Sequence, residues 1–223
     1  MEIIRADLHI HTTYSDGKNS PKEVIYHAMN IGLNAIAITD HDTFQGAVVG
    51  NRIAKSSKLE LVVIIGIEVR TDKGDVLVYC DHPIDVPRNV DMLIDKARVE
   101  NCIVVPAHPY DLRRFGVGDE IFNYRWDAIE VFNASSSSRA NKKALRAAKI
   151  LGLPGLANSD AHILDFIGVA YNEIQASSNS IDDILEAVRK GKVKPIAGRP
   201  SISSYAKYAY WSIARKVRGI WEE

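Results

Sequence analysis

Two histidines separated by a single residue, His9 and His11, are the first residues in the chain whose types and spacing could do chemistry. Side chains two residues apart in a β-strand point to the same side, so a strand ending here would bring both imidazoles to one point. Neutral imidazoles held in this way suit a divalent transition metal such as zinc, manganese or iron. Two polar residues at a strand end would look the same, so a metal site needs support from the rest of the chain.

Further histidine and acidic residues follow short apolar runs later in the sequence. These additional candidate ligands are His41, Glu68, His108, Asp160 and His162. Five of the seven histidines stand at the ends of predicted strands, which a random distribution would rarely produce. A mixture of imidazole and carboxylate ligands favours Mn, Fe or Zn over Mg alone.

The apolar runs are typical of β-strands that alternate with amphipathic helices. The predicted strands cover residues 3–8, 34–39, 61–69, 74–79, 102–107, 128–133, 154–158, 169–176 and 193–197. The predicted helices cover residues 21–31, 43–57, 91–100, 139–151, 180–190 and 203–221. This alternation predicts a parallel sheet covered by helices, and roughly seven or eight such units favour a barrel over an open sheet. The loops after the strands would then gather at one face and carry the candidate ligands.

The chain is predicted to form a single α/β domain over residues 1–223, in which residues 201–223 are a C-terminal helical tail. The aromatic residues of this tail offer a surface for packing on the body of the domain or on another subunit of a homo-oligomer. Residues 110–125 are predicted to be a long loop, and loops of this length are often lids or binding loops.

Composition and charge exclude several classes of protein. The 28 Lys and Arg residues balance 28 Asp and Glu residues, which argues against an extended nucleic-acid surface but leaves room for a local cationic pocket. Cys80 and Cys102 match no disulfide framework and no Cys-x-x-Cys metal site, so we expect two buried thiols. Neither a signal peptide nor a membrane-spanning run of ~18 apolar residues is recognisable. We therefore expect a cytoplasmic protein that has no membrane partner.

Five segments taken together resemble the PHP family, the polymerase and histidinol phosphatase family of metal-dependent phosphoesterases. In the family's order, they are residues 9–11 with 15–17, 39–42, 66–69, 107–109 and 159–162. The similarity extends from about residue 5 to about residue 200. It implies a distorted (β/α)7 TIM-like barrel that holds two or three divalent ions (Mn, Zn or Fe).

The resemblance also implies which side chains bind the ions. The implied ligands are His9, His11, Glu68 and Asp160 for a first ion, Glu68 and His108 for a second, and Asp16, His41 and His162 for a third. Many relatives carry a histidine after the glutamate, where this chain has Asp75. Three alternatives stay open: Asp75 is an oxygen ligand, His82 reaches the site, or neither does and the second ion is weakly held. Glu130 and Asn133 are candidates for orienting the ligands.

The activity implied by the resemblance is hydrolysis of a phosphate ester by a hydroxide that bridges the metal ions. Adjacent cations ~3.5–4 Å apart activate water and neutralise charge on the attacking and leaving oxygens. The resemblance assigns catalytic roles to Asp16, His41 and His162, with His162 or its metal-bound water assisting the leaving group.

The expected substrate is a small phosphorylated metabolite, a nucleotide or the end of an oligonucleotide. Arginines can hold a phosphate through two hydrogen bonds. The candidates for this role are Arg113, Arg114, Arg139 and Arg199. Two other functions stay open: a metal-dependent amidohydrolase, and a non-catalytic RNA-binding barrel like the protein subunits of ribonuclease P.

Overall fold

A computed structural model describes the backbone of residues 2–220 and the side chains of residues 2–215. The strands are β1 Glu2–Ile10, β2 Ala35–Ile38, β3 Val62–Arg70, β4 Asp75–Cys80, β5 Ile103–Pro106, β6 Ile129–Asn133, β7 Gly155–Asn158, β8 Tyr171–Ala176 and β9 Val193–Ile196. The α-helices are α1 Pro21–Asn30, α2 Gln45–Ser56, α3 Val90–Val99, α4 Ser138–Leu151, α5 Ile181–Arg189 and α6 Ile202–Ile220. Three short 3-10 helices cover Leu112–Arg114, Gly118–Asn123 and Leu164–Phe166. The predicted tail helix corresponds to α6, and its last predicted residue, Trp221, lies outside the described residues.

Seven strands form one sheet in the order β5-β4-β3-β2-β1-β8-β9, and β6 pairs with β7 in a second sheet. Strands β1, β2 and β3 are parallel, but β4 is antiparallel to β3 and β5, and β8 is antiparallel to β1 and β9. The predicted parallel arrangement is therefore confirmed for β1, β2 and β3 and for β6 with β7, but it is wrong for the pairs that contain β4 or β8. At β4 the reason is the four-residue connection 71–74, because a parallel neighbour needs a crossover of a dozen or more residues.

The two-stranded sheet meets the seven-stranded sheet at two places, beside the edge strand β5 and at the end of β1. The Asp127 backbone N–H donates to the Val104 carbonyl at 3.0 Å, and Ile10 forms a parallel bridge with Ala161. The result is an α/β fold with a curled, half-barrel sheet, and the (β/α)7 count stays a prediction. Among the described residues, no helix combines the length and apolar character that a membrane crossing requires.

Most strands bury both faces, as their nearly continuous apolar runs predict. Ile36 and Ile38 of β2 belong to one core cluster, whereas Ala35 and Ala37 belong to another on the opposite face. Burying one large apolar side chain contributes about 1.5–3 kcal/mol. These two layers hold the strand ends in a fixed relative position.

Cys80 and Cys102 form a disulfide, so the expectation of two free buried thiols is wrong. Cys80 ends β4, and Cys102 directly precedes its antiparallel neighbour β5, which places their Cα atoms 4.5 Å apart. A parallel arrangement would place Cys80 and Cys102 at opposite ends of the two strands, so the predicted parallel sheet does not indicate this disulfide.

Candidate metal centre

The predicted ligands follow the ends of strands that meet at one rim. His9 is the penultimate residue of β1, and His11 directly follows the strand. His41 lies shortly after β2 and forms a β-bridge with Glu68 of β3. The backbones of His108 and Asp160, two residues after β5 and β7, have positive φ angles of 30° and 54°. This conformation costs about 1–3 kcal/mol in a residue other than glycine and is concentrated at functional sites.

Four buried side chains converge deepest in the rim. His9 Nε2 lies 3.1 Å from His11 Nε2, and each of these atoms lies 3.2 Å from Glu68 Oε2. Asp160 Oδ1 is 3.4 Å from His11 Nε2 and 3.6 Å from His9 Nε2. Tetrahedral ligands with bonds of ~2.1 Å would stand roughly 3.4 Å apart. The spacing therefore fits the ligand sphere of one divalent ion.

A second group lies closer to the surface and shares His11. His162 Nε2, His11 Nδ1 and His41 Nε2 lie 3.2, 3.6 and 3.8 Å from Asp16 Oδ1. The Asp16 and His41 side chains are about one-third exposed, so this group is open to solvent. Its imidazoles and carboxylate could hold a second ion.

A third group brings Glu68, Asp75 and His108 together. His108 Nε2 lies 3.0 Å from Glu68 Oε1, and Asp75 is buried at the start of β4. His82 is exposed and pairs with Asp81 and Glu100 instead. Because β4 runs antiparallel, residues after its end lie at the opposite side of the sheet, so the alternative with His82 does not agree with the structure.

Three of the candidate ligands each have a buried polar atom without a hydrogen-bond partner. These atoms are His11 Nδ1, His108 Nδ1 and Asp160 Oδ1. An unpaired buried polar atom costs about 1–3 kcal/mol, and such atoms are rare unless something binds them. A divalent ion would satisfy imidazole nitrogens and carboxylate oxygens of this kind. The donor set therefore fits the metal ions that the sequence predicts.

Glu130 and Asn133 hold several of these ligands in place, as predicted for orienting residues. His9 Nδ1 donates to Glu130 Oε1 at 2.9 Å, which leaves the Nε2 lone pair free to face the other ligands. The His108 backbone N–H donates to Glu130 Oε2 at 2.6 Å. Asn133 Nδ2 donates to Glu130 at 3.0 Å and to Asp160 Oδ2 at 2.9 Å.

Two further buried carboxylates fix the loops and were not singled out from the sequence. Asp40 accepts hydrogen bonds from the Thr12 N–H, the Thr12 hydroxyl and the Ser15 hydroxyl, and so fixes the loop that carries Asp16. Asp7 accepts from the Ser159 hydroxyl and backbone N–H, next to Asp160. The available signal was position, because each aspartate lies within two residues of a predicted ligand.

The buried imidazoles and carboxylates of the candidate site shift one another's pKa values. Burial alone would lower the pKa of His11, but the neighbouring carboxylates of Asp160 and Glu68 raise it to about 9. Burial would raise the pKa of Glu68, but His9, His108 and His11 hold it well below its usual value. For His41, burial dominates and lowers the pKa. Protons and metal ions therefore compete for the innermost imidazoles.

Five of the candidate ligands, Asp16, His41, Asp75, His108 and His162, line an open cavity of about 450 Å³. Side chains around it include Arg70, Arg113, Arg114, Phe115, Ser135, Phe166, Tyr205 and Tyr208. A volume of this size is typical of small-molecule sites.

Family comparison agrees with this arrangement. A family model described as PHP domain matches residues 7–112, and one described as PHP-associated matches residues 138–193. The chain belongs to the PHP family. The two matched segments contain all the predicted ligands of the PHP site.

Sequence relatives include the uncharacterized protein MJ1587 of Methanocaldococcus jannaschii, with 32% identity over 143 residues, which are 59% of this chain and 82% of MJ1587. A 5'-3' exoribonuclease of Haemophilus influenzae is 41% identical over 66 residues, 30% of this chain and 23% of that protein. This chain therefore spans most of MJ1587 but less than a quarter of the exoribonuclease.

Among solved structures, a two-domain protein from Bacteroides vulgatus that contains a predicted PHP-like metal-dependent phosphoesterase has a TM-score of 0.74 and 18% identity. The match covers 88% of this chain and 65% of that one. At this identity the likeness concerns the PHP fold alone.

Two of the four predicted phosphate-binding arginines border the PHP site. Arg114 forms an ion pair with Asp160, and Arg113 lies in the cavity wall. Arg199 donates instead to the carbonyl oxygens of Ala134 at 3.2 Å and Ser136 at 3.0 Å. Arg139, exposed near the start of α4, does not line the cavity.

Helix α6 packs on the body of the PHP domain and forms one wall of the site. The Tyr208 ring meets the His162 ring edge-on at 6.2 Å and lies 5.4 Å from the Phe166 ring. Arg215 Nη1 donates to the Asp16 carbonyl at 2.7 Å. The described part of the tail thus contacts two of the candidate ligands, His162 and Asp16.

Proposed function

We propose that the protein is a metal-dependent phosphoesterase that hydrolyses a phosphate ester of a small metabolite, a nucleotide or an oligonucleotide end. The observation that carries the proposal is the convergence of imidazoles and carboxylates from five strand ends on the floor of one cavity. Arginine side chains in the cavity wall supply positive charge for a phosphate.

The residues proposed to hold divalent ions are His9, His11, Asp16, His41, Glu68, Asp160 and His162, and Asp75 and His108 are further candidates beside Glu68. When bound, such ions activate water and neutralise the charge that develops on phosphoryl oxygens. Glu130 and Asn133 keep the donor atoms pointed inward through the hydrogen bonds described above.

Asp16, His41 and His162 are the proposed catalytic residues because they face the cavity. The His162 Nδ1–H donates to the Asp160 carbonyl at 3.1 Å, which leaves Nε2 beside Asp16. We assign His162 to the leaving oxygen, which it would assist through its Nε2 or, where Nε2 holds an ion, through a water on that ion. Burial lowers the pKa of His41, which favours the unprotonated ring that an ion needs.

Arg113 and Arg114 are the proposed phosphate-binding residues, and Arg114 is already directed toward the site by its ion pair with Asp160. Phe115, Tyr205 and Tyr208 offer aromatic surface on which a base could stack. The local similarity to an exoribonuclease supports a nucleotide or a chain end as substrate. The balanced net charge favours such a substrate over an extended nucleic acid.

The test compares metal-free protein with protein reloaded with Mn, Zn or Fe on panels of phosphomonoesters, phosphodiesters and amides. We expect metal-dependent hydrolysis of phosphate esters only. His9→Ala should abolish it, whereas His27→Ala, on helix α1, should leave it unchanged. Hydrolysis of amides alone, or equal activity without metal, would show that the proposal is wrong.

A further inference from the structure

The carboxylates of the site differ in how many oxygens they have free. Asp160 Oδ2 accepts a hydrogen bond from Asn133 and pairs with Arg114. Asp160 Oδ1 is buried, has no hydrogen bond and faces His9 and His11. Both oxygens of Asp75 are occupied: Arg70 Nε donates to Oδ1 at 2.9 Å and Arg70 Nη2 donates to Oδ2 at 3.0 Å. Asp160 therefore presents a free oxygen to an ion, whereas both oxygens of Asp75 already share the charge of the Arg70 guanidinium.

Arg70 is fixed in this position by two contacts besides Asp75. Its backbone N–H donates to Asp42 Oδ1 at 3.0 Å, and its guanidinium stacks over the Phe115 ring, 4.2 Å from the centroid. Two-pronged pairing of a guanidinium with a carboxylate is among the strongest and most directional of side-chain interactions. Asp75 is only 1% exposed, and Arg70 supplies the positive charge that a buried carboxylate needs.

We propose that Arg70 takes the place of a divalent ion beside Glu68, Asp75 and His108, so that the protein binds two ions per chain rather than three. This inference rests on the metal dependence proposed above. The two ions belong to the group around His9 and Asp160 and to the group around Asp16 and His162.

A third ion in this position would meet two obstacles. The ion would lie next to the Arg70 guanidinium, and two positive charges in contact with the same carboxylate repel each other strongly in a partly buried site. It would also have to share the oxygens of Asp75 with Arg70, which weakens the attraction of this carboxylate for the ion. The Arg70 side chain is still 43% exposed and lines the cavity, so its charge faces the substrate from the side where the ion would have been.

The experiment counts ions rather than turnover. The protein and two variants are stripped with chelator, dialysed against Mn²⁺ and analysed for metal per chain by mass spectrometry. Arg70→Met removes the guanidinium and keeps an unbranched apolar side chain. Arg88→Met is the matched control, because Arg88 also pairs with Asp42 but is exposed and does not line the cavity.

We expect two Mn²⁺ per chain for the wild type and for Arg88→Met, and three for Arg70→Met. Anomalous diffraction from Mn-soaked wild-type crystals should show two peaks and none between Glu68, Asp75 and His108. This map decides the question even if Arg70→Met fails to fold.

Three ions in the wild type, fewer than two in the wild type, or only two in folded Arg70→Met would each overturn the inference. The ion count does not depend on turnover. A lack of phosphoesterase activity would therefore be recognised separately, by the substrate panels.

Discussion

The two ends of the strand pair β4 and β5 differ in what they bury: ionisable side chains at one end and a disulfide at the other. At one end, Asp75 and His108 bring ionisable side chains beside Glu68. At the other end, Cys80 and Cys102 join the strands covalently. The comparison shows that the rim with the proposed chemistry contains buried charges and unfavourable backbone angles, whereas the opposite end contributes stability. This division is the one expected of barrel-like α/β enzymes.

The largest expected effect comes from the centre of the rim. Glu68→Gln keeps the shape of the side chain but removes the charge that contacts His9, His11 and His108. We expect a loss of activity on the order of 10³-fold, since metal ions supply several kcal/mol of catalysis. Steady-state kinetics with saturating Mn²⁺ measures the loss. The exposed Glu60→Gln is the control, and similar activities of the two variants would remove Glu68 from the site.

The opposite end should affect stability and not activity. Replacing both Cys80 and Cys102 by Ser opens a loop with a sequence separation of 22 residues. We expect a decrease of about 3 kcal/mol in the free energy of unfolding, from the entropy of the unfolded chain. Urea unfolding measures it, and the activity of the folded variant should stay within about twofold of wild type. A selective loss of activity would contradict the division between the two ends.

Removing an orienting residue should have an intermediate effect. Glu130→Gln weakens the hydrogen bond that fixes the His9 ring, and partners of this kind typically change metal affinity or activity by about 10–100-fold. Titration with Mn²⁺ should show weaker binding with the same number of ions. Glu173→Gln, which affects only a surface ion pair with Lys194, is the control. Unchanged affinity in Glu130→Gln would reduce Glu130 to a packing role.

A smaller effect concerns the pH dependence of the metal-free protein. The pKa of His11 is about 9 in the folded chain against an ordinary value of 6.5, because Asp160 and Glu68 raise it against the effect of burial. A raised folded-state pKa gives stability that is complete below the unfolded value and is lost as the pH rises through the folded one. Urea unfolding of metal-free protein should therefore show declining stability between about pH 6.5 and pH 9.

The Mn-loaded protein should show the opposite trend over this interval, since metal binding requires unprotonated imidazoles. The low pKa values of Glu68 and Asp160 contribute stability that is lost only in acid, well below this interval. A flat profile for the metal-free protein would show that His11 is not protonated in the folded state.

Much of the rim could be predicted because most candidate ligands lie at or just after the end of an apolar run, and strand ends in such folds meet at one face. The directions of β4 and β8 could not be predicted from the alternation of strands and helices. That error left His82 open as a ligand and concealed the pairing of Cys80 with Cys102.

The role of Arg70 was missed for a different reason. A charged residue at the end of a strand gives no sequence signal of its own, and its importance comes from contacts with Asp75 and Phe115 that only the tertiary structure brings together. Arg199 shows the reverse case, because its sequence position suggested a phosphate site while its guanidinium is bound to carbonyl oxygens of a neighbouring loop.

The wall formed by helix α6 has a consequence for how specificity is encoded. The family matches end at residues 112 and 193, and between and beyond them lie Arg113, Arg114, Phe115, Tyr205 and Tyr208. The candidate ligands thus lie in segments that the family models match, whereas these residues proposed to meet the substrate lie outside the matched segments. Exchanging residues 113–137 or the C-terminal helix between relatives should redirect substrate choice while the hydrolytic machinery stays the same.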